Sequence, residues 1–270
     1  MNNNFCKVIS CAKNADHFKK AFMSFVGITL SIAMVAMPAV GLSSGVSFAY
    51  NGEAESFAAE AENIYDNFGQ GQSNLTKEYV AQHLGNATSI KISADVETIE
   101  ANAFDGCTSL ESVDFSSCNA LTNIGYCAFC DCTSLKSVDL SNCNALTKMG
   151  DFAFFRCASL ESVDFTNCSA LKEIGSKAFA GCTSLKSVDF SNCSALKNID
   201  SHAFEGCTSL ESVEFTNCNA LTVIGFNAFE NCSLLKKEDF HGLNSEVKFE
   251  SYEGEYSHEI KGEVAYGLKL

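Results

Sequence analysis

From residue 104 onward the apolar positions of the chain recur in fixed lanes. Phe104, Phe129, Phe154, Phe179, Phe204 and Phe229 stand 25 residues apart, each after an alanine. Cys107, Cys132, Cys157, Cys182, Cys207 and Cys232 keep the same step, and so do Leu110, Leu135, Leu160, Leu185, Leu210 and Leu235. Five full repeats run from Leu110 to Leu234. A degenerate copy precedes them, with Ile90, Val96 and Ile99 in register, and a fading copy starts at Leu235. A fixed period of this length marks a chain of stacked coils. Within one repeat Val113 and Phe115 alternate with Ser112, Asp114 and Ser116, which predicts a short strand with one face buried. Beyond it Ile124, Ala128, Phe129, Cys132 and Leu135 advance by four, one, three and three, which predicts a turn or two of helix or 3-10 helix closing the coil. One coil has no core of its own, so each must bury its apolar residues against the next. The predicted architecture is an α/β solenoid, with a parallel β-sheet along its concave side and short helical or 3-10 turns on the other.

The same alternation assigns an outward face. Ser112 and Asp114, Ser137 and Asp139, Ser162 and Asp164, Ser187 and Asp189, and Ser212 and Glu214 flank the buried valines and should line the concave sheet. Five carboxylates would then form a ladder at one-strand spacing. Like charges ~4.8 Å apart repel by about 0.9 kcal/mol per neighbouring pair in water, and less with salt. The adjoining lane, Glu111, Lys136, Glu161, Lys186 and Glu211, alternates in sign and avoids that cost. The face reads either as a solvated surface or as a rack for divalent cations, a basic partner or a glycan, and binding is the expectation for the face as a whole.

The ends differ from the middle. Lys19 and Lys20, an apolar stretch from Ala21 to Gly41, and a small-residue segment ending Ser47-Phe48-Ala49 follow the order of an export signal, with cleavage expected before Tyr50. An uncleaved anchor is the alternative, because the apolar stretch approaches the ~20 residues that span a bilayer. Residues 1–49 are thus the signal and 50–75 a flexible leader. Residues 76–109 hold an N-terminal cap and the degenerate repeat, with a short helix between Thr76 and Gly85. Residues 110–234 hold the five repeats. Residues 235–270 hold a partial repeat and a β-rich C-terminal cap, with strands suggested by Val247, Phe249, Ile260, Val264, Tyr266 and Leu268.

Charge narrows the function classes. The chain carries a net −15, and loss of residues 1–49, which hold Lys7, Lys13, Lys19, Lys20 and Asp16, would leave −18. Such a chain repels nucleic acid and anionic membranes, so contact with a membrane is expected only through an uncleaved N-terminal segment. Gly-rich phosphate loops, a nucleophile elbow and paired histidine ligands are missing, and no cofactor is expected. The chain reads as a binding or structural protein and not as an enzyme.

Thirteen cysteines follow residue 49, and eleven fall into two lanes that begin at Cys107 and Cys118. Export invites a disulfide reading. Parallel neighbours at ~4.8 Å, however, do not offer the ~3.8 Å Cβ separation that a disulfide prefers. The lanes therefore read as small buried residues whose S–H groups weakly satisfy backbone at the bends. Cys127 and Cys130 lie outside the lanes. With Cys132 they resemble a metal cluster, but it lacks a second half and Cys132 already belongs to a lane, so no metal is expected and one or both read as exposed thiols.

Leu110-x-x-Val113-x-Phe115-x-x-Cys118-x-x-Leu121 resembles the leucine-rich-repeat consensus, with cysteine where many repeats carry asparagine. The continuation Ile124-Gly125-x-x-Ala128-Phe129-x-x-Cys132-Thr133-Ser134-Leu135 resembles the BspA-type subclass of bacterial and protist surface proteins. The resemblance covers about residues 88–240. It departs at the bend after the strand, where the family often has proline and this chain has Ser-Asn-Cys-Asn-Ala at residues 141–145. The resemblance implies a leucine-rich-repeat solenoid, a secreted or cell-surface location, and adhesion to a host or neighbouring-cell surface protein, a matrix protein or a glycan. A repeat module that only spaces or coats is the alternative.

Overall fold

The computed structural model describes residues 64–250, apart from residue 142, and the strand Tyr256–Ser257. The export signal, residues 50–63, Ile260, Val264, Tyr266 and Leu268 lie outside the described residues. The rest is a parallel β-solenoid, as the 25-residue period predicts. An eight-stranded sheet takes one strand from each coil: Ile64–Phe68, Ser89–Ile92, Ser112–Asp114, Ser137–Asp139, Ser162–Asp164, Ser187–Asp189, Ser212–Glu214 and Phe240–His241. Every neighbouring pair is parallel, and from Ser112 to Glu214 the register is one repeat per strand without a slip.

A second sheet was not predicted. Two-residue strands such as Asn123–Ile124, Lys148–Met149 and Glu173–Ile174 pair in parallel, and with their counterparts in the other coils they make eight strands, to which Tyr256–Ser257 adds a ninth. The segment after each of them is not helix or 3-10 helix, as its apolar spacing suggested, but a succession of turns. Left-handed φ values at Phe152 and Arg156, and at the matching residues of other coils, break any helix. Instead alternate N–H groups reach sideways to the next coil: Phe152 to Ser176 O, Phe154 to Ala178 O and Arg156 to Ala180 O, all within 2.7–2.8 Å. The turns are thus stitched coil to coil, as the strands are. Among the described residues the α-helix is Lys77–His83 (α1), where Thr76 caps the N-terminus by accepting from Tyr79 N.

The inward face is the predicted one. Leu110, Val113, Phe115, Cys118, Leu121, Ile124, Ala128, Phe129 and Cys132 are buried, as are their counterparts in the following repeats. Phe104, Phe129, Phe154, Phe179, Phe204 and Phe229 form one continuous stack, with centroids 4.7–5.3 Å apart and planes within 5°. Phe165, Phe190 and Phe215 form a second stack, set edge-on to the first. Glycine is needed where coils close in. A Cβ on Gly150 would stand 2.6 Å from the Gly125 carbonyl carbon.

The N-terminal end corrects an expected boundary. Residues 64–75 belong to the solenoid and not to a flexible leader: Ile64–Phe68 and Asn74–Leu75 are the first strands of the two sheets. Phe68 and Leu75 supply the buried side chains that make a coil possible there. At the far end Tyr256–Ser257 turns back antiparallel on Lys248–Glu250 and covers the open edge of the second sheet.

The eleven lane cysteines are free thiols, ten of them buried. Nine of them donate S–H to a backbone carbonyl of the preceding coil. Cys132 donates to Phe104 O and Cys157 to Phe129 O, both at 3.1 Å, and Cys168 donates to Leu140 O and Cys193 to Phe165 O at 3.1 Å. Burial raises the thiols of Cys107, Cys118 and Cys168 to about 12 and that of Cys218 to about 11. Cys127 and Cys130 depart from the expectation of exposed thiols. They form a disulfide, because the left-handed turn at Cys127 brings their Cα atoms to 4.8 Å, within bridging range. Cys132 points inward, away from them, and leaves no three-cysteine cluster.

Replacing Phe154 by alanine should cost about 3–5 kcal/mol, because the cavity lies between two ring neighbours. The measurement is the shift of the denaturant midpoint against wild type, and an unchanged midpoint would contradict the stack. The thiols make stability fall in alkali. Their folded values exceed the ordinary 9, so the native chain keeps protons that the unfolded chain releases. Stability is full below about pH 9 and is lost as pH rises toward 12. Urea midpoints measured across that window should drop steeply. Cys168→Ala should flatten the slope by about 1.4 kcal/mol per pH unit, one proton's worth.

Candidate binding face

Strand pairing places the predicted face residues in two rows. Ser112, Ser137, Ser162, Ser187 and Ser212 stand opposite one another across the strands, as do Asp114, Asp139, Asp164, Asp189 and Glu214. All ten lie on the outer side of the eight-stranded sheet, half-buried or exposed. The acidic ladder is therefore real as geometry.

Each acid also has a local task that the spacing did not reveal. Asp114 Oδ1 accepts from Ser116 N at 2.7 Å, Asp139 from Ser141 N at 3.0 Å, Asp164 from Thr166 N at 2.7 Å and Asp189 from Ser191 N at 2.7 Å. Glu214 Oε1 accepts from Thr216 N at 2.8 Å. The strand ends here and the chain bends, which orphans an N–H, and the side chain two residues earlier satisfies it. One oxygen of each carboxylate holds the bend, and the other is left out of that bond. Just beyond, Asn167, Asn192 and Asn217 take left-handed φ values of 63–66°, which asparagine tolerates. Their amides bond in a chain, Asn217 to Asn192 and Asn192 to Asn167, at 2.8 and 3.0 Å.

The ladder is bracketed by basic residues that the sequence did not single out. Lys91 pairs in register with Asp114 and holds its Oδ2 at 3.3 Å, and His241 pairs in register with Glu214. Partial burial raises the Asp114 carboxyl, but the Ser116 and Lys91 hydrogen bonds outweigh it and hold it below the ordinary carboxylate value. In the adjoining lane Lys136 binds Glu111 at 2.5 Å and Lys186 binds Glu161 at 2.7 Å. These pairs raise both lysines and lower Glu161. Sign alternation thus becomes coil-to-coil ion pairs.

Two shallow grooves lie on the surface. One, about 260 Å³, runs over this face along Thr88, Ser89, Glu111, Ser112, Lys136 and Ser137. The other, about 430 Å³, opens on the second sheet, where Gly125 and Gly150 leave no side chains beside the exposed Tyr126. Both are open and of mixed polarity, unlike the enclosed apolar clefts that hold small molecules.

The double duty of the acids separates two substitutions. Asp164→Asn keeps an oxygen for Thr166 N and removes charge, so the fold should hold or gain slightly. Asp164→Ala loses the acceptor and should cost about 0.5–1.5 kcal/mol. Denaturant melts of both variants measure this, and equal effects would remove the bend-holding role.

A model of the BspA-type leucine-rich-repeat region matches the chain in six copies, over residues 76–192 and 147–257. The chain is similar to a leucine-rich-repeat protein of T. pallidum, with 28% identity and a TM-score of 0.51 over 62% of this chain and 73% of that one. It is also similar to a leucine-rich-repeat protein of Eubacterium ventriosum ATCC 27560, with 22% identity and a TM-score of 0.54 over 68% of this chain and 44% of that one. The second likeness shows the fold alone and spans under half of its neighbour. A search of curated proteins finds no match. The family model covers more than half of the chain with the repeat, the strands and the stacked phenylalanines in one register, and the chain belongs to the BspA-type leucine-rich-repeat family.

Proposed function

We propose that this chain is an exported, surface-associated or secreted binding protein, adhesin-like, that offers the outer side of its eight-stranded sheet to a protein or glycan partner. The observation that carries the reading is the unslipped register of Ser112 to Ser212 and Asp114 to Glu214. It repeats one hydroxyl and one carboxylate per strand at ~4.8 Å, with one carboxylate oxygen of each acid left over from the bend. A partner with basic groups, or a glycan with repeated hydroxyls, meets many equal weak contacts there, which together supply avidity. Family membership agrees with a surface role.

A second reading is a spacer without a ligand. It is favoured by the same bends: each acid is already explained by the N–H it accepts.

One variant separates the two. In Asp139→Asn/Asp164→Asn/Asp189→Asn the bends keep their acceptors and the outward charge is lost. Wild type should bind members of a panel of matrix proteins and glycans more weakly as salt rises, because exposed carboxylates are screened beyond about 8 Å at physiological ionic strength. The triple variant should melt like wild type and lose that binding. Binding equal to wild type for every ligand, or no binding by either protein, moves the spacer reading ahead.

A further inference from the structure

The turn arm carries a second kind of repetition. In four coils the left-handed residue that opens the turn and the residue three positions later bring their side chains together, as Phe152 and Phe155 do edge-to-face. In one coil these positions are Cys127 and Cys130, which are bonded. In another they are Asn227 and Glu230, where Asn227 Nδ2 donates to Glu230 Oε2 at 2.6 Å. In the coil between Lys177 and Asn227 they are His202 and Glu205, with Nδ1 3.1 Å from Glu205 Oε2. Glu205 and Glu230 occupy the same position in adjacent coils, so stacking brings a third ligand in: Glu230 Oε2 lies 3.9 Å from the same Nδ1.

We propose that His202, Glu205 and Glu230 bind a divalent transition-metal ion of the zinc class. The donor atoms of the three side chains lie within 4.8 Å of one another. Around a tetrahedral ion with bonds of about 2.0–2.2 Å, donors stand about 3.4 Å apart. The separations of 3.1 and 3.9 Å bracket that value. The second observation is His202 Nδ1 itself. It is sealed from solvent and makes no hydrogen bond of sound geometry, although a carboxylate oxygen is 3.1 Å away. A buried ring nitrogen left in that condition is costly, and a metal ion shared with the carboxylates would satisfy it.

The backbone holds the three residues in place before any ion arrives. His202 N donates to Phe226 O at 2.9 Å, and Glu205 N donates to His202 O at 3.1 Å. The carbonyls of Glu205 and Glu230 accept from Gly181 N and Gly206 N, both at 2.7 Å. Asn227 orients Glu230 from behind, and Phe226 lies edge-on to the imidazole at 5.5 Å. The side chains remain 24–33% exposed, which leaves the fourth position to water. One imidazole with two carboxylates favours zinc-class ions over calcium, which prefers an all-oxygen shell. The charges of the two carboxylates balance that of the ion. Lys177, whose Nζ is 3.9 Å from Glu205 Oε2, is the competing cation.

The test uses the full chain without an affinity tag, Zn²⁺ in calorimetry and Co²⁺ in visible absorption. Wild type should bind one ion per chain, and Ca²⁺ should not displace it. His202→Asn keeps the left-handed turn, since Asn102 and Asn227 hold the same position with φ of 58° and 54°. That variant and Glu230→Gln should each lose at least tenfold in affinity while melting like wild type in the absence of metal. Lys177→Met should gain affinity. The Co²⁺ spectrum should lack a thiolate charge-transfer band. Unchanged affinity in His202→Asn, a thiolate band, displacement by Ca²⁺, or no binding by wild type would each overturn the site.

Discussion

Parallel pairing of one coil on the next, at a rise of ~4.8 Å, governs everything else in this molecule. With a repeat of 25 residues and no slip in register from Ser112 to Glu214, each side chain meets its own counterpart above and below. A residue type therefore survives in a lane only if it packs well against itself. Phenylalanine does, as the stack from Phe104 to Phe229 shows. Cysteine does so as a thiol, because its S–H finds a carbonyl of the coil before it. Asparagine does so by amide-to-amide bonding. Gly150 is required for the opposite reason, since the coils there approach too closely for any Cβ.

Charge is the type that stacks worst, and the chain handles it in three ways. The Glu111, Lys136, Glu161, Lys186 lane alternates sign and converts repulsion into ion pairs. The acidic ladder instead fixes one oxygen of each carboxylate on an N–H and closes its upper end with Lys91. The Glu205 and Glu230 pair has a histidine between them. Where repetition is broken, the break falls on the turn arm: Cys127, Cys130 and His202 replace their counterparts there, while the core lanes continue unchanged.

The ends of the stack obey a different rule, because they have a neighbour on one side only. The first coil departs from the 25-residue pattern and uses α1, Lys77–His83, with Val80 buried beneath it. A helix satisfies its own backbone, so it suits an end better than turns that need a coil on each side. At the other end Tyr256–Ser257 reverses direction and pairs with the last parallel strand, Lys248–Glu250. Exposed sheet edges invite pairing with other chains, and this antiparallel strand removes one of them.

The sequence alone determined the solenoid, its period, the inward lanes and the outward rows, because periodicity is a property of order along the chain. Phe154 announced its burial by having five counterparts, and Asp139 its exposure by lying between Val138 and Leu140. It also pointed to reduced lane cysteines, since parallel neighbours do not offer the ~3.8 Å Cβ separation that a disulfide prefers. Tertiary structure decided what depends on φ and on distance between coils. Apolar spacing at Ile124, Ala128 and Phe129 suits helix and stitched turns equally, and only left-handed residues such as Phe152 choose the turns. Without the repeat signature, Ile64–Phe68 resembled a leader, and its role emerged from pairing with Ser89–Ile92. The Cys127–Cys130 bond and the meeting of His202 with Glu230 lay beyond any linear reading. Both follow from how a turn folds back and which coil lies beside it, and spacing along the chain does not record either.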